Sequence, residues 1–347
     1  MANHRKHQHT TLAEREFIEV FQAHGAQGVS DMTGAELTNI YRRRRYLENK
    51  LKLTISPPGP RPHLPQAEQY PHRLTLKVKD GVVLVGSDAH YWPAQITAAH
   101  RAFVHFIKEM RPVAVVMNGD ALDGSTISRH PPIGWEKRPS LVSEIECVQD
   151  RLEEIEAAVD RRKVRIPVDD ELLPRYKLLR NKQQTPRLFW PLGNHDMRYG
   201  TRLATVAPEY AKVHGTRLKD HFPGWEPCWS LFVNDDVVVK HRYKGGIHAT
   251  HNNTMWAGRT MVTGHLHQLK VTPLGDYNGT RFGVDTGTMA DPEGPQFVDY
   301  TEDSPKNWRS GFAVLTFKNG ALLWPELVHV RDEAKGLVQF RGEVIAV

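Results

Sequence analysis

Five short clusters in this chain of 347 residues carry side chains that can hold a metal ion or move a proton. They are Asp88-x-His90, Gly119-Asp120 with Asp123, Gly193-Asn194-His195-Asp196, His241, and Gly264-His265-x-His267. Together they offer imidazole nitrogen, carboxylate oxygen and amide oxygen but no thiolate, a donor set that suits Mn²⁺, Fe or Zn²⁺. A glycine precedes or sits within most of them, allowing a sharp turn and close backbone approach. Each cluster alone has an ordinary explanation. Asp88 can cap a helix, Gly119-Asp120 and Gly193-Asn194 can be turns, and His265 or His267 can be surface histidines. Joint occurrence in this order, each after a strand-like run, is what coincidence does not supply.

Those runs predict the positioning elements. Val82–Val85, Val113–Met117 and Leu188–Leu192 are apolar stretches of buried-strand length, and Thr75–Lys79 alternates like a strand. The carboxyl ends of strands in an open α/β sheet face the crevice where ligands bind. The clusters that follow them would therefore enter one site. Between the strands, Ile96, Ala99, Phe103, Ile107 and Met110 recur at helical spacing. Leu141, Ile145, Val148, Leu152, Ile155 and Val159 form one apolar helical seam. The charged, irregular segment from there to Leu188 reads as an insertion over the substrate cleft. The remainder turns mostly β. Trp229–Val233 and Val237–Lys240 flank Asn234-Asp235-Asp236, and the second run ends at His241. Thr260–Thr263 ends at Gly264, and Leu269–Leu274 pairs with Arg281–Val284 across Gly275–Gly279. Phe312–Phe317 and Ala321–Trp324 bracket Asn319-Gly320, a hairpin signal.

Upstream, residues 1–53 read as a small helical domain. Thr11 can cap a helix bearing Phe17, Ile18 and Phe21, with Gly25 and Gly28 breaking it. A short segment with Val29 and Met32 leads through Gly34 to a long helix from about Ala35. That helix is expected to bury Leu37, Ile40, Tyr41, Leu47 and Leu51, and it carries Arg42, Arg43, Arg44 and Arg45. The order resembles a helix-turn-helix DNA-binding module, whose last helix lies in the major groove. Arginines there would neutralise phosphates and pair with guanine edges. A solvated basic helix or a dimerisation helix fits the same residues. Residues 54–73, rich in proline, predict an extended linker, and 74–347 the main domain.

The net charge of +6 points toward a polyanionic partner without establishing one. Two cysteines, Cys147 and Cys228, are too few for a disulfide framework or a thiolate site. No apolar run approaches the roughly 18–20 residues that span a bilayer. Met1–His7 lacks the apolar core of a secretory signal, so the expected setting is cytoplasmic, away from membranes. His4, His7 and His9 read as tail residues.

The motif series D-x-H, GD-x-x-D, GNH-D, a lone H and G-H-x-H resembles the calcineurin-like metallophosphoesterase superfamily from about Leu74 onward. That resemblance implies an α/β fold, a two-layered β-sandwich flanked by helices, with two divalent metal ions at one end. Asp88, His90 and His267 would hold one ion, and Asn194, His241 and His265 the other, with Asp120 bridging them. Two cations roughly 3.5–4 Å apart can clamp a phosphoryl group, and water bridging them becomes an in-line nucleophile. His195 would stay unligated as general acid for the leaving oxygen. The resemblance makes Asp123 the carboxylate that keeps it protonated. His241 is preferred over His248 and His251 because it ends a buried strand. Those two, on a loop with Lys244, are candidates for substrate contact or an ordinary solvated loop.

The phosphoprotein phosphatases of this superfamily place an arginine directly after the second aspartate of GD-x-x-D, where this chain has Gly124. The fourth residue of the third motif is Asp196, as in the SbcD-like nucleases, where those phosphatases usually have glutamate. Arg129 or Arg198 could replace the missing phosphate contact. The stretch Gly283–Thr288 and the C-terminal hairpins resemble phage and bacterial metallophosphoesterases. The expectation is a manganese-dependent phosphodiesterase acting on nucleic acid, with DNA as partner. The alternatives are a phosphomonoesterase on nucleotides or phosphoproteins, and a DNA-binding protein with an inactive metal site.

Overall fold

A computed structural model describes residues 12–58, 70–130, 132, 136–159, 186–211, 213–301, 304 and 306–347. The chain divides into two compact units, Met1–Gln66 and Ala67–Val347. That division falls within the proline-rich stretch. Thr11 and the charged insertion at 160–185 lie outside the described residues.

In the first unit, α1 (Glu14–Thr33) is kinked at Gly25, whose φ of 69° is left-handed, and ends on Gly34 at φ 68°. Gly28 stays helical. Helix α2 (Leu37–Leu51) follows. The two helices pack through Phe17, Phe21, Val29, Ile40 and Leu47, all buried. Leu37, Tyr41 and Leu51 are exposed, contrary to expectation. At about 100° per residue, the core-facing stripe of α2 takes Ile40 and Leu47 and leaves those three on the flanks.

The second unit is a sandwich of two mixed sheets. One has six strands in the order β1-β6-β7-β8-β10-β9. These are β1 (Leu74–Leu76), β6 (Leu231–Val233), β7 (Val237–Val239), β8 (Thr260–Thr263), β9 (Lys270–Asp276) and β10 (Gly279–Asp285). The other has nine, β15-β14-β13-β11-β2-β3-β4-β5 with β12 on β11. Its elements are β2 (Gly81–Gly86), β3 (Ala114–Met117), β4 (Arg187–Pro191), β5 (Glu226–Cys228), β11 (Gly311–Lys318), β12 (Ala321–Leu322), β13 (Glu326–Asp332), β14 (Leu337–Phe340) and β15 (Glu343–Ala346). Strands β2, β3, β4 and β5 run parallel.

Alternation along the central strands builds two cores at once. Val83, Val85, Ala114, Val116 and Phe189 face the other sheet, where they meet Leu231, Val237, Val239 and Val262. Leu84, Val115, Met117, Leu188 and Trp190 face α3 (Ala98–Met110) and α4 (Leu141–Ala158). Burial on both faces explains why these strands read as unbroken apolar runs. The expected layered sandwich flanked by helices is the observed fold. Ile96 precedes α3 and is exposed, because Thr97 caps that helix by accepting from His100 N. The α4 seam is buried at Val148, Leu152, Ile155 and Val159. Among the described residues, no helix is long and apolar enough to cross a membrane.

Leu152→Ala should lower stability by roughly 2–5 kcal/mol in denaturant unfolding, with the slope unchanged. A change below about 0.5 kcal/mol would contradict the placement of this seam in the core.

Candidate metal centre

Five loops meet at one end of the sandwich, leaving the carboxyl ends of β2, β3, β4, β7 and β8. They bring Asp88, His90 and His267 together as one set of donor atoms within 4.8 Å of one another. Asp120, His241 and His265 form a second such set, and Asp120 also lies in a third with His90 and His195. Asp88 and Asp120 are buried, as are His90, His241 and His267.

Close approach is bought with backbone strain. Asp88, His90, Asp120, His265 and His267 all have positive φ, between 38° and 72°, a region that side chains other than glycine rarely adopt. A Cβ on Gly193 would lie 2.0 Å from Asp120 Oδ1, and one on Gly264 2.3 Å from Asp88 Oδ2. These glycines clear room for the carboxylates.

Hydrogen bonds fix which atom of each side chain faces inward. His241 Nδ1 donates to the Asn118 carbonyl at 2.8 Å, which leaves Nε2 directed at Asp120 Oδ2, 3.1 Å away. Asp123 Oδ1 accepts from His90 Nδ1 at 2.9 Å and from His195 Nδ1 at 3.0 Å. Both rings therefore present Nε2 elsewhere, the arrangement that orients ligand histidines. His267 Nε2 lies 3.1 Å from Asp88 Oδ1. Asp120 Oδ1 accepts from His195 N, and Asp88 Oδ2 from His265 N, each at 2.8 Å.

The electrostatics follow from burying carboxylates among imidazoles. Burial pushes the Asp88 carboxyl up, but His267 and His241 more than reverse this and hold it at about 2. Burial lowers His241, yet the Asp120 and Asp88 carboxylates lift it to about 10. His195 is raised as well: burial opposes the shift, and Asp120 and Asp123 drive it. Burial lowers His90 and His265.

A cation fits here on two observations. Asn194 Oδ1 is a buried acceptor without a hydrogen-bond partner among the described residues, which costs about 1–3 kcal/mol. His241 Nε2, also without a hydrogen bond there, is charged only because two carboxylates face it; a divalent ion would replace that proton and satisfy the Asn194 oxygen and the two carboxylates as well.

The centre opens into a cleft of about 370 Å³ whose walls include Arg198, Arg138, His130, Phe297 and Trp308. Arg198 Nη1 donates to the Asp123 carbonyl at 2.9 Å, and its Nη2 to His195 Nε2 at 3.1 Å. Of the expected substrate contacts, only Arg198 lines this cleft. Arg129 is exposed beside His130, to which it donates at 3.4 Å. His248 and His251 are not among the cleft residues, since they open α5 (Ala249–Ala257) on the other sheet. In α2, Arg43 donates to the Leu12 carbonyl at 2.6 Å and covers the Phe17 ring. Arg44 pairs with Glu48 and covers Phe21. Four consecutive helical residues cannot share one face, so only Arg42 and Arg45 of the quartet are exposed.

Sequence reasoning used Asp196 only to compare families. In the structure its carboxylate accepts from the backbone N–H of Asp120, Ala121, Leu122 and Gly193 and from Trp190 Nε1, at 2.8–3.2 Å. It ties the loop after β3 to the loop after β4. Glu144 braces the same region from α4, accepting from Gly124 N and Ser125 N at 2.6 and 3.2 Å. A glutamate one residue from an apolar helical seam was the available signal. Phe297 and Trp308 gave none, because they come from a loop without periodicity.

No protein-family model matches the chain. The Gene 54 protein of Mycobacterium phage L5 is 27% identical over 137 residues, 36% of this chain and 44% of that protein. The match thus spans under half of that relative. The fold is similar to a single mutant of Vps29 from Entamoeba histolytica, at 12% identity and a TM-score of 0.37, covering 77% of this chain and 99% of the other. Wild-type Vps29 from the same organism, complexed with Zn²⁺, gives 12%, 0.35, 76% and 98% for the same quantities. A protein from Streptococcus pneumoniae TIGR4 described as a predicted phosphoesterase gives 11%, 0.30, 73% and 90%.

Asp196→Ala should lower stability by about 3 kcal/mol or more, because it strands several buried donors at once. Thermal and denaturant melts measure this. A variant as stable as the parent would show that the two loops do not depend on the clamp.

Proposed function

We propose that the chain is a metal-dependent phosphoesterase that hydrolyses phosphodiesters of nucleic acid. The observation that carries this reading is two donor sets of oxygen and nitrogen, Asp88–His90–His267 and Asp120–His241–His265, linked by a third in which His90 meets Asp120 and His195. Asp88, His90 and His267 would hold one divalent ion, and Asn194, His241 and His265 a second, with Asp120 between them. Mn²⁺ suits these donors best, and Fe or Zn²⁺ are compatible. When bound, such ions polarise the phosphoryl group and lower the pKa of water at the site.

The remaining work falls to side chains. His195 is held by Asp123 through Nδ1, so its Nε2 is the atom available to hand a proton to the leaving oxygen. In the free protein that nitrogen accepts from Arg198. A phosphate oxygen entering the cleft would draw the guanidinium onto itself and free His195 Nε2 to take up a proton from solvent, which Asp120 and Asp123 favour, and that proton is the one passed to the leaving oxygen. Arg198 then binds the ester where the phosphatases use the arginine that is Gly124 here. The nucleic-acid preference is supported by the far wall. Phe297 and Trp308 pack ring to ring with centroids 5.1 Å apart, and Trp308 reaches His267 at 4.6 Å. A base can stack on half-buried Trp308, which buried Phe297 backs edge-on, while its phosphate meets the donors. Exposed Arg42 and Arg45 of α2 would add contacts to the DNA backbone.

Bis-p-nitrophenyl phosphate and DNA should be cleaved with Mn²⁺, and Asp120→Asn should abolish turnover of both. His195→Gln should lower kcat by roughly 10²- to 10⁴-fold with bound metal retained. A clear preference for monoesters across a substrate panel would overturn the diester assignment, and inertness of the fully metallated protein would overturn the enzyme. Trp308→Ala should raise KM for a dinucleotide diester about 5- to 100-fold, with kcat little changed. An unaltered KM would remove the stacking shelf.

A further inference from the structure

We infer that the outer face of the six-stranded sheet carries a second nucleic-acid contact, a groove over β6, β7 and β8 that seats a single strand. This rests on the nucleic-acid reading above but on different residues. The floor is one row of side chains. Phe232 pairs with Val238 across β6 and β7, and Val238 with Met261 across β7 and β8. Their strand neighbours Leu231, Val233, Val237, Val239 and Val262 point into the core between the sheets. The row therefore faces outward, into a groove of about 270 Å³ walled by Arg73, Lys240, Tyr243 and Arg259.

Three of those walls are cations. Among the described residues, none of Arg73, Lys240 and Arg259 has an ion pair with a carboxylate. The acid that senses Arg73 and Arg259 is Asp235, and its carboxylate is already held by Lys77. The Arg73 guanidinium lies 3.8 Å over the Phe232 ring, so it is stacked in place on the floor. At the rim, Lys244 Nζ sits 5.2 Å from the Tyr243 ring and 5.0 Å from the Trp256 ring. Trp256 is 66% exposed and Tyr243 45%, unusual solvation for large aromatics with no packing role.

Cations interleaved with exposed aromatic faces match single-stranded nucleic acid. Phosphates meet the cations, and unpaired bases stack on the rings whatever their sequence. An acidic peptide would use the charges and leave the rings idle. A duplex keeps its bases stacked on each other and away from Trp256 and Tyr243. The groove also joins the metal centre along one strand. β7 runs from the Arg259 end of the groove to Lys240, and the next residue is His241.

The test uses the full-length chain in EDTA, where binding is read without hydrolysis. Fluorescein-labelled oligo(dT) is titrated by anisotropy against protein carrying Arg42→Gln and Arg45→Gln, which mutes α2. Adding Arg73→Gln and Arg259→Gln should weaken binding on the order of tenfold at about 0.1 M salt, and flatten the log–log salt dependence by about 0.7 per cation removed. Trp256→Ala should weaken it several-fold with the salt slope unchanged. Melting curves establish that the variants fold. Folded variants with parental affinity and slope, or a parent displaced by polyglutamate as readily as by oligo(dT), would overturn the proposal. Groove-dependent binding by a chain that cleaves no phosphoester would refute the enzyme and keep the groove. Cleavage with groove-independent binding would do the reverse.

Discussion

Two carboxylates buried within reach of five imidazoles are the constraint on which the rest of this structure depends. An anion taken out of water is costly unless opposite charge or strong donors replace its hydration. Asp88 and Asp120 meet that demand through His267, His241 and backbone N–H groups. The surrounding features follow from it. Left-handed backbone at Asp88 and Asp120 turns the carboxylates inward. Gly193 and Gly264 leave space where a Cβ would collide with them. Asp123 and the Asn118 carbonyl hold the His90 and His241 rings by their outward nitrogens. Such strain persists only where packing over-determines it, and here that packing comes from strands buried on both faces.

The sandwich explains why candidate ligands so distant in sequence converge. Parallel strands in one sheet end side by side, so the loops after β2, β3 and β4 open at the same edge. In the facing sheet, β7 and β8 are also parallel and end at that edge. Two sheets closing on the core between them bring the two sets of loops face to face. A single sheet could deliver Asp88, Asp120 and Asn194, but His241, His265 and His267 require the second layer. The cluster of candidate metal donors is thus a consequence of sheet packing, and the loops only finish it.

Much of this was legible in the chain. Val82–Val85 and Val113–Met117 announced themselves as buried strands by apolar continuity, and the ligand residues followed them at fixed, short offsets. Offsets from a strand end are local, and local spacing survives folding. What was not legible depends on distant contacts. Nothing near Arg129 told that Arg198 would occupy the cleft wall and that Arg129 would point outward. Nothing near His248 told that it would start a helix packed on the six-stranded sheet. Phe297 and Trp308 lie in an irregular stretch where no periodicity assigns a face. The quartet Arg42–Arg45 reads as one basic block, yet the helical turn divides it into two inward and two outward residues.

Asp196 shows how a residue can match a family pattern for reasons unrelated to substrate. Its identity, aspartate in place of glutamate, was part of the case for a nuclease. The structure gives that choice a steric cause. Its two oxygens receive four backbone N–H groups from the loops after β3 and β4 and the indole N–H of Trp190 on β4, at the start of the helix Asp196–Val206. A side chain one methylene longer would overshoot these donors unless the loop after β3 withdrew, and Asp120 would withdraw with it. Asp196 therefore reports the spacing between two loops, and on the proposed function the substrate would be selected elsewhere, by what faces the open cleft. On that wall stand a guanidinium already in contact with His195 and an indole already in contact with His267. The first suits the charge of a phosphoryl oxygen and the second the plane of a base, a pairing that a lone phosphomonoester would use only in part.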